Sequence, residues 1–93
     1  MLLYVAHDFE SVETAQNSLL ALQKNDIENA FISPVILFSH LHGKIEESIY
    51  RELTIDVLSV CDKLIIFKNS KASHELDFAR LVGMEVEIYE NPK

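Results

Sequence analysis

The chain has 93 residues, 48% of them hydrophobic and 25% charged, a globular composition that excludes a disordered or low-complexity protein. That length holds one hydrophobic core, so residues 1–93 are expected to form a single domain. Eight basic residues against fifteen acidic ones leave a net charge of −7, which repels duplex nucleic acid and anionic lipid but tolerates a small nucleotide held locally by backbone N–H groups and a lysine.

Cys61 is the single cysteine, so an intrachain disulfide and a cysteine-based zinc site are both excluded, and a reducing compartment is the simplest reading. No apolar run approaches the roughly 20 residues that cross a bilayer. Met1-Leu2-Leu3-Tyr4 leads into a strand-like run without the basic segment and cleavage site of a signal peptide. The expectation is a cytoplasmic protein with no membrane partner.

In chain order, Leu2-Leu3-Tyr4-Val5-Ala6 is a short apolar run suited to a strand buried on both faces. Ser11 is a helix N-cap candidate, followed by Val12, Ala15, Leu19 and Leu22 at steps of three and four and a polar close at residues 23–26. Asn29 to Ser33 predicts a second strand, cut off by Pro34. Val35 to Lys44 lacks periodicity and is expected to be a loop over the sheet edge. Ile45, Ile49, Leu53, Val57 and Val60 give a second helix with that stripe buried. Leu64 to Phe67 is a third strand. After a polar loop, Leu76, Ala79 and Val82 mark a third helix ending at Gly83, and Val86 to Tyr89 is a fourth strand. The alternation predicts an α/β fold with a four-stranded parallel sheet of order 2-1-3-4 and helices on both faces, a flavodoxin-like or Rossmann-like three-layer sandwich. Ligands of such sheets bind beyond the carboxyl ends of the strands at the reversal of order, here the loops 7–10 and 68–73.

Two acidic residues conflict with that pattern. Glu75 lies four residues before Ala79, on the inward stripe of the third helix and in its first turn, where the helix dipole favours the ionised form and suits a nucleophile. The plainer alternative is a solvent-facing helix-start glutamate. Asp56 lies three residues after Leu53, at the margin of the second helix's stripe; its plainer alternative is a boundary residue in water. Facing one crevice, the two carboxylates would divide the work of nucleophile and proton handling on a glycosidic bond. Tyr4 sits near the same crevice, with a hydroxyl able to orient a carboxylate or a sugar, or simply a ring to pack. His7 belongs to the first crevice loop. Asn69, Ser70, Lys71 and Ser73 form a second one, supplying hydroxyls, backbone donors and a lysine as an anion cradle, without the glycine that phosphate loops use. His40 and His42, with His7 and His74, have no cysteine or helical His-Glu motif to join them into a metal site, so no metal is expected. Cys61 reads as a small buried side chain.

The order and spacing of several segments resemble the nucleoside 2-deoxyribosyltransferase-like superfamily across most of the chain. They are Leu3-Tyr4-Val5-Ala6, Phe31-Ile32-Ser33-Pro34, Asp56 to Asp62 leading into Leu64-Ile65-Ile66-Phe67, and Ser70 to Ala79. The resemblance implies Glu75 as the nucleophile that forms a covalent sugar intermediate, Asp56 as the helix aspartate that assists proton transfer to the base, and Tyr4 as a first-strand tyrosine beside the glutamate. It implies no cofactor, a nucleoside or nucleotide as small-molecule substrate, and a homo-oligomer, a dimer in the simplest case. The chain departs from the family at Asn69, where the transferases carry an acidic residue and their hydrolase relatives a serine, and at Lys71, where glycine is usual. It also has four strands where the transferases have five.

The leading expectation is therefore cleavage of an N-glycosidic bond, or transfer of its ribosyl or deoxyribosyl group, through Glu75. Its rival is a non-catalytic nucleotide-binding or sensing module that kept the cleft, and a third reading is an interaction protein whose acidic surface meets a partner chain.

Overall fold

The computed structural model describes residues 1–6, 11–41, 43–67 and 73–89. Its strands are β1 (Leu2–Ala6), β2 (Ala30–Ile32), β3 (Lys63–Phe67) and β4 (Glu85–Tyr89), and its helices α1 (Val12–Asn25), α2 (Pro34–Leu37), α3 (Glu47–Leu58) and α4 (Ser73–Val82). The strands form one all-parallel sheet in the order β2-β1-β3-β4, with Tyr4 level with Ile32 on one side and Leu64 on the other. This is the α/β arrangement that the alternation of elements predicts.

Side chains alternate across a strand, so each face of the sheet gathers its own core. Tyr4, Ala6, Leu64 and Ile66 pack with Leu58 and Cys61 at the end of α3 and with Ala79 of α4. Leu3, Val5, Phe31, Ile65 and Phe67 pack on the other side with Leu19 and Leu22 of α1. β1 and β3 are the central strands and their residues are almost wholly buried; β4, at the edge, is only half-buried.

Local chemistry fixes the ends of these elements. The Ser11 hydroxyl accepts from the Thr14 N–H at 3.2 Å and caps α1. α4 ends in a Schellman motif: Gly83 has φ +74°, its N–H reaches the Arg80 carbonyl, and the Met84 N–H reaches the Ala79 carbonyl at 2.8 Å. Asp62 locks β1 against the end of α3, its N–H donating to the Leu2 carbonyl at 2.8 Å and its carboxylate accepting from the Leu2 N–H at 2.7 Å. Lys63 reaches Glu85 and Glu87 on β4, each at 2.9 Å.

Two expectations need correction. The stretch after Pro34 is not a plain loop: Pro34 occupies the first turn of α2, where its missing N–H costs nothing, and a 3₁₀ turn follows at Ser39–Leu41. In α3 the buried residues are Thr54 and Leu58, with Tyr50 half-buried one turn earlier, whereas Ile49 and Val60 of the expected stripe are exposed. The inward seam is the one displaced by a single residue, roughly 100° around the helix.

Candidate active site

The sheet's α3/α4 face carries a cluster of polar side chains inside an otherwise apolar core. β1 supplies Tyr4, fully buried; the first turn of α4 supplies His74 and Glu75, the latter only 4% exposed; α3 supplies Tyr50 and Thr54. Glu75 is buried because it and Ala79, one turn on, share the face of α4 that packs on the sheet. The Tyr4 hydroxyl donates to Glu75 Oε2 at 2.5 Å. His74 Nε2 stands 3.6 Å from Glu75 Oε1 and 3.3 Å from Thr54 Oγ1. Thr54 in turn donates its hydroxyl proton to the Arg51 carbonyl at 2.7 Å.

Electrostatics follow from burial and from the glutamate. Burial, then the negative charge of Glu75, raises the Tyr4 phenol far above its ordinary value, with a hydrogen bond to Thr54 acting in the opposite sense. Tyr50 is raised for the same two reasons, burial first. Both phenols are therefore neutral hydrogen-bond donors at physiological pH. Burial, then the Arg51 cation, lowers His74 below its ordinary value, against the opposing pull of Glu47 and Asp77. Its imidazole is neutral at pH 7.

Such a cluster can hold a carboxylate at the start of a helix, orient it through a phenol, and present it beside an uncharged imidazole. These are the elements of a nucleophile with a fixed trajectory.

Of the residues singled out from sequence, Tyr4 and Glu75 meet directly. Asp56 does not join them: it is exposed on the outer side of α3, two residues and roughly 200° from Thr54, which faces the cluster in its place. Its expected role beside the glutamate is corrected accordingly. Ser73 is the exposed opening residue of α4. His7, Asn69, Ser70 and Lys71, the remaining expected binding residues, lie outside the described residues. His40 is exposed in the 3₁₀ turn, and His42 is likewise outside the described residues. Among the described residues no three His, Cys, Asp or Glu side chains gather as metal ligands would. Cys61 is buried in the core, its thiol pushed up to about 11 by burial and then by Asp62, which makes it a poor nucleophile.

Thr54 and Tyr50 escaped the sequence reading, and His74 entered it only as a loop histidine. The available signal was the spacing Tyr50, Thr54, Leu58, a run of i, i+4 steps that a threonine in its middle disguises as polar. Compared with known proteins, the chain matches no family model, no curated protein and no solved structure.

Proposed function

We propose that this protein cleaves the N-glycosidic bond of a nucleoside or nucleotide, or transfers its ribosyl or deoxyribosyl group, with Glu75 as nucleophile. The observation that carries the reading is a buried carboxylate in the first turn of α4, oriented by the hydroxyl of a buried tyrosine from the central strand β1. A carboxylate oxygen of Glu75 attacks the anomeric carbon, the C–N bond breaks, and its electron pair leaves with the base, which takes a proton from solvent. The resulting glycosyl ester on Glu75 is opened by water, giving free sugar and the carboxylate, or by a second base, giving a new nucleoside. Tyr4 fixes the carboxylate geometry, and its neutral phenol keeps donating throughout the physiological range. The sugar and phosphate contacts are assigned in this reading to His7, Asn69, Ser70, Lys71 and Ser73.

Incubation with a panel of nucleosides and 5′-monophosphates tests this directly. Wild-type protein releases free base, Glu75→Ala loses at least about a hundredfold of that rate, consistent with removal of a covalent nucleophile, and Asp56→Asn keeps it. No release from any member of the panel contradicts the proposal.

One observation favours the non-catalytic reading: the acid expected to assist the leaving base faces solvent, and an unionisable threonine stands where it was expected. A module of that kind binds a nucleotide saturably in calorimetry and releases no base.

A further inference from the structure

His74 is used by neither role above, yet its ring is fixed in a definite way. A hydroxyl has one proton, and the partners that draw on that of Thr54, the Arg51 carbonyl at 2.7 Å and the Tyr4 oxygen, leave none for His74. Toward His74 Nε2, 3.3 Å away, Thr54 Oγ1 can act only as acceptor, so Nε2 carries the hydrogen. That same nitrogen stands 3.6 Å from Glu75 Oε1. We propose that His74 is a positioning residue for Glu75: Thr54 holds it as the Nε2–H tautomer with that edge facing the carboxylate, and its charge state sets the reactivity of the nucleophile.

The proposal rests on Glu75 as nucleophile for its catalytic meaning, but the coupling itself does not. With the ring neutral, Glu75 Oε2 accepts from Tyr4 and the His74 edge near Oε1 carries a weak dipole. With the ring protonated, a full positive charge lies 3.6 Å from Oε1 and competes with an electrophilic anomeric carbon for the same electrons. Acidification through the His74 titration therefore silences the nucleophile. The other groups bearing on the ring are Arg51 and Glu47 of α3 and Asp77 of α4, with Arg51 paired to Glu47 at 2.8 Å.

Two measurements on the imidazole test the proposal without reference to activity. The ¹⁵N shifts of His74 in wild-type protein, assigned among the four histidines by loss of the signal in His74→Gln, report the tautomer. The expected signature is Nε2–H; the Nδ1–H tautomer overturns the proposal. The His74 titration is then compared in wild-type and Glu75→Gln protein. Removing the neighbouring negative charge is expected to lower the midpoint by at least about half a pH unit, and an unchanged midpoint overturns the coupling; Thr54→Val, should Glu75→Gln not fold, is expected to release the ring to a tautomer mixture. In the base-release assay, wild-type activity falls on the acid side with the His74 midpoint and His74→Gln loses that limb. An acid limb kept in His74→Gln contradicts the catalytic part. Coupling in the spectra with no base released from any substrate would sink the proposed function alone.

Discussion

Tyr4 and Glu75 illustrate how a buried charge is made tolerable: the phenol supplies a short, charge-assisted hydrogen bond and the helix start supplies a favourable dipole. Tyr4→Phe removes the donor and leaves the carboxylate less satisfied in an apolar core, at a cost of about 1–3 kcal/mol in chemical denaturation. The same residue dictates the alkaline behaviour. Its phenol is raised in the folded protein, so the unfolded chain loses that proton first as pH climbs past the ordinary value of 10.0. The stability associated with the neutral buried phenol is complete below that pH and declines above it. Denaturation midpoints should therefore fall steeply on the alkaline side for the wild type and less steeply for Tyr4→Phe, with Tyr50 and Tyr89, also raised, supplying the remaining slope. Equal slopes for the two proteins would contradict the burial of this hydroxyl as a neutral donor.

At the scale of elements, α4 delivers the carboxylate and its end is as well specified as its beginning. Gly83 holds φ +74°, a conformation a side chain adopts at a cost of about 1–2 kcal/mol, so Gly83→Ala should lower stability by that amount although the added methyl meets open space. A thermal melt unchanged by this substitution would contradict the motif. The strands and α4 were legible in the sequence because continuous apolar runs and a terminal glycine leave little choice, and Glu75 was legible because it interrupts a stripe containing Ala79. α3 was legible as a helix but not in its rotation. Its inward seam contains Tyr50 and Thr54, both able to hydrogen-bond, while Ile49 and Val60 are left in solvent, so hydrophobicity alone turned the helix one residue too far and carried Asp56 toward the crevice. The short α2 and the 3₁₀ turn were hidden because four- and three-residue helices have no periodicity to read.

Across the whole molecule, the order β2-β1-β3-β4 makes β1 and β3 neighbours at the centre of the sheet. The first turn of α4 lies over the same face that presents Tyr4. A buried carboxylate and the phenol that donates to it, 71 residues apart in sequence, are thus joined by topology rather than by a local motif. None of the described helices is long and apolar enough to cross a membrane. The central claim, that Glu75 attacks the sugar, is tested most directly by acid quench of the protein with reactive nucleosides and nucleotides, followed by peptide mass spectrometry. The expected result is one pentosyl or phosphopentosyl group on the peptide bearing Glu75 and none in Glu75→Gln; base release that continues unchanged in Glu75→Gln, with no adduct on the wild type, would rule out attack by this carboxylate.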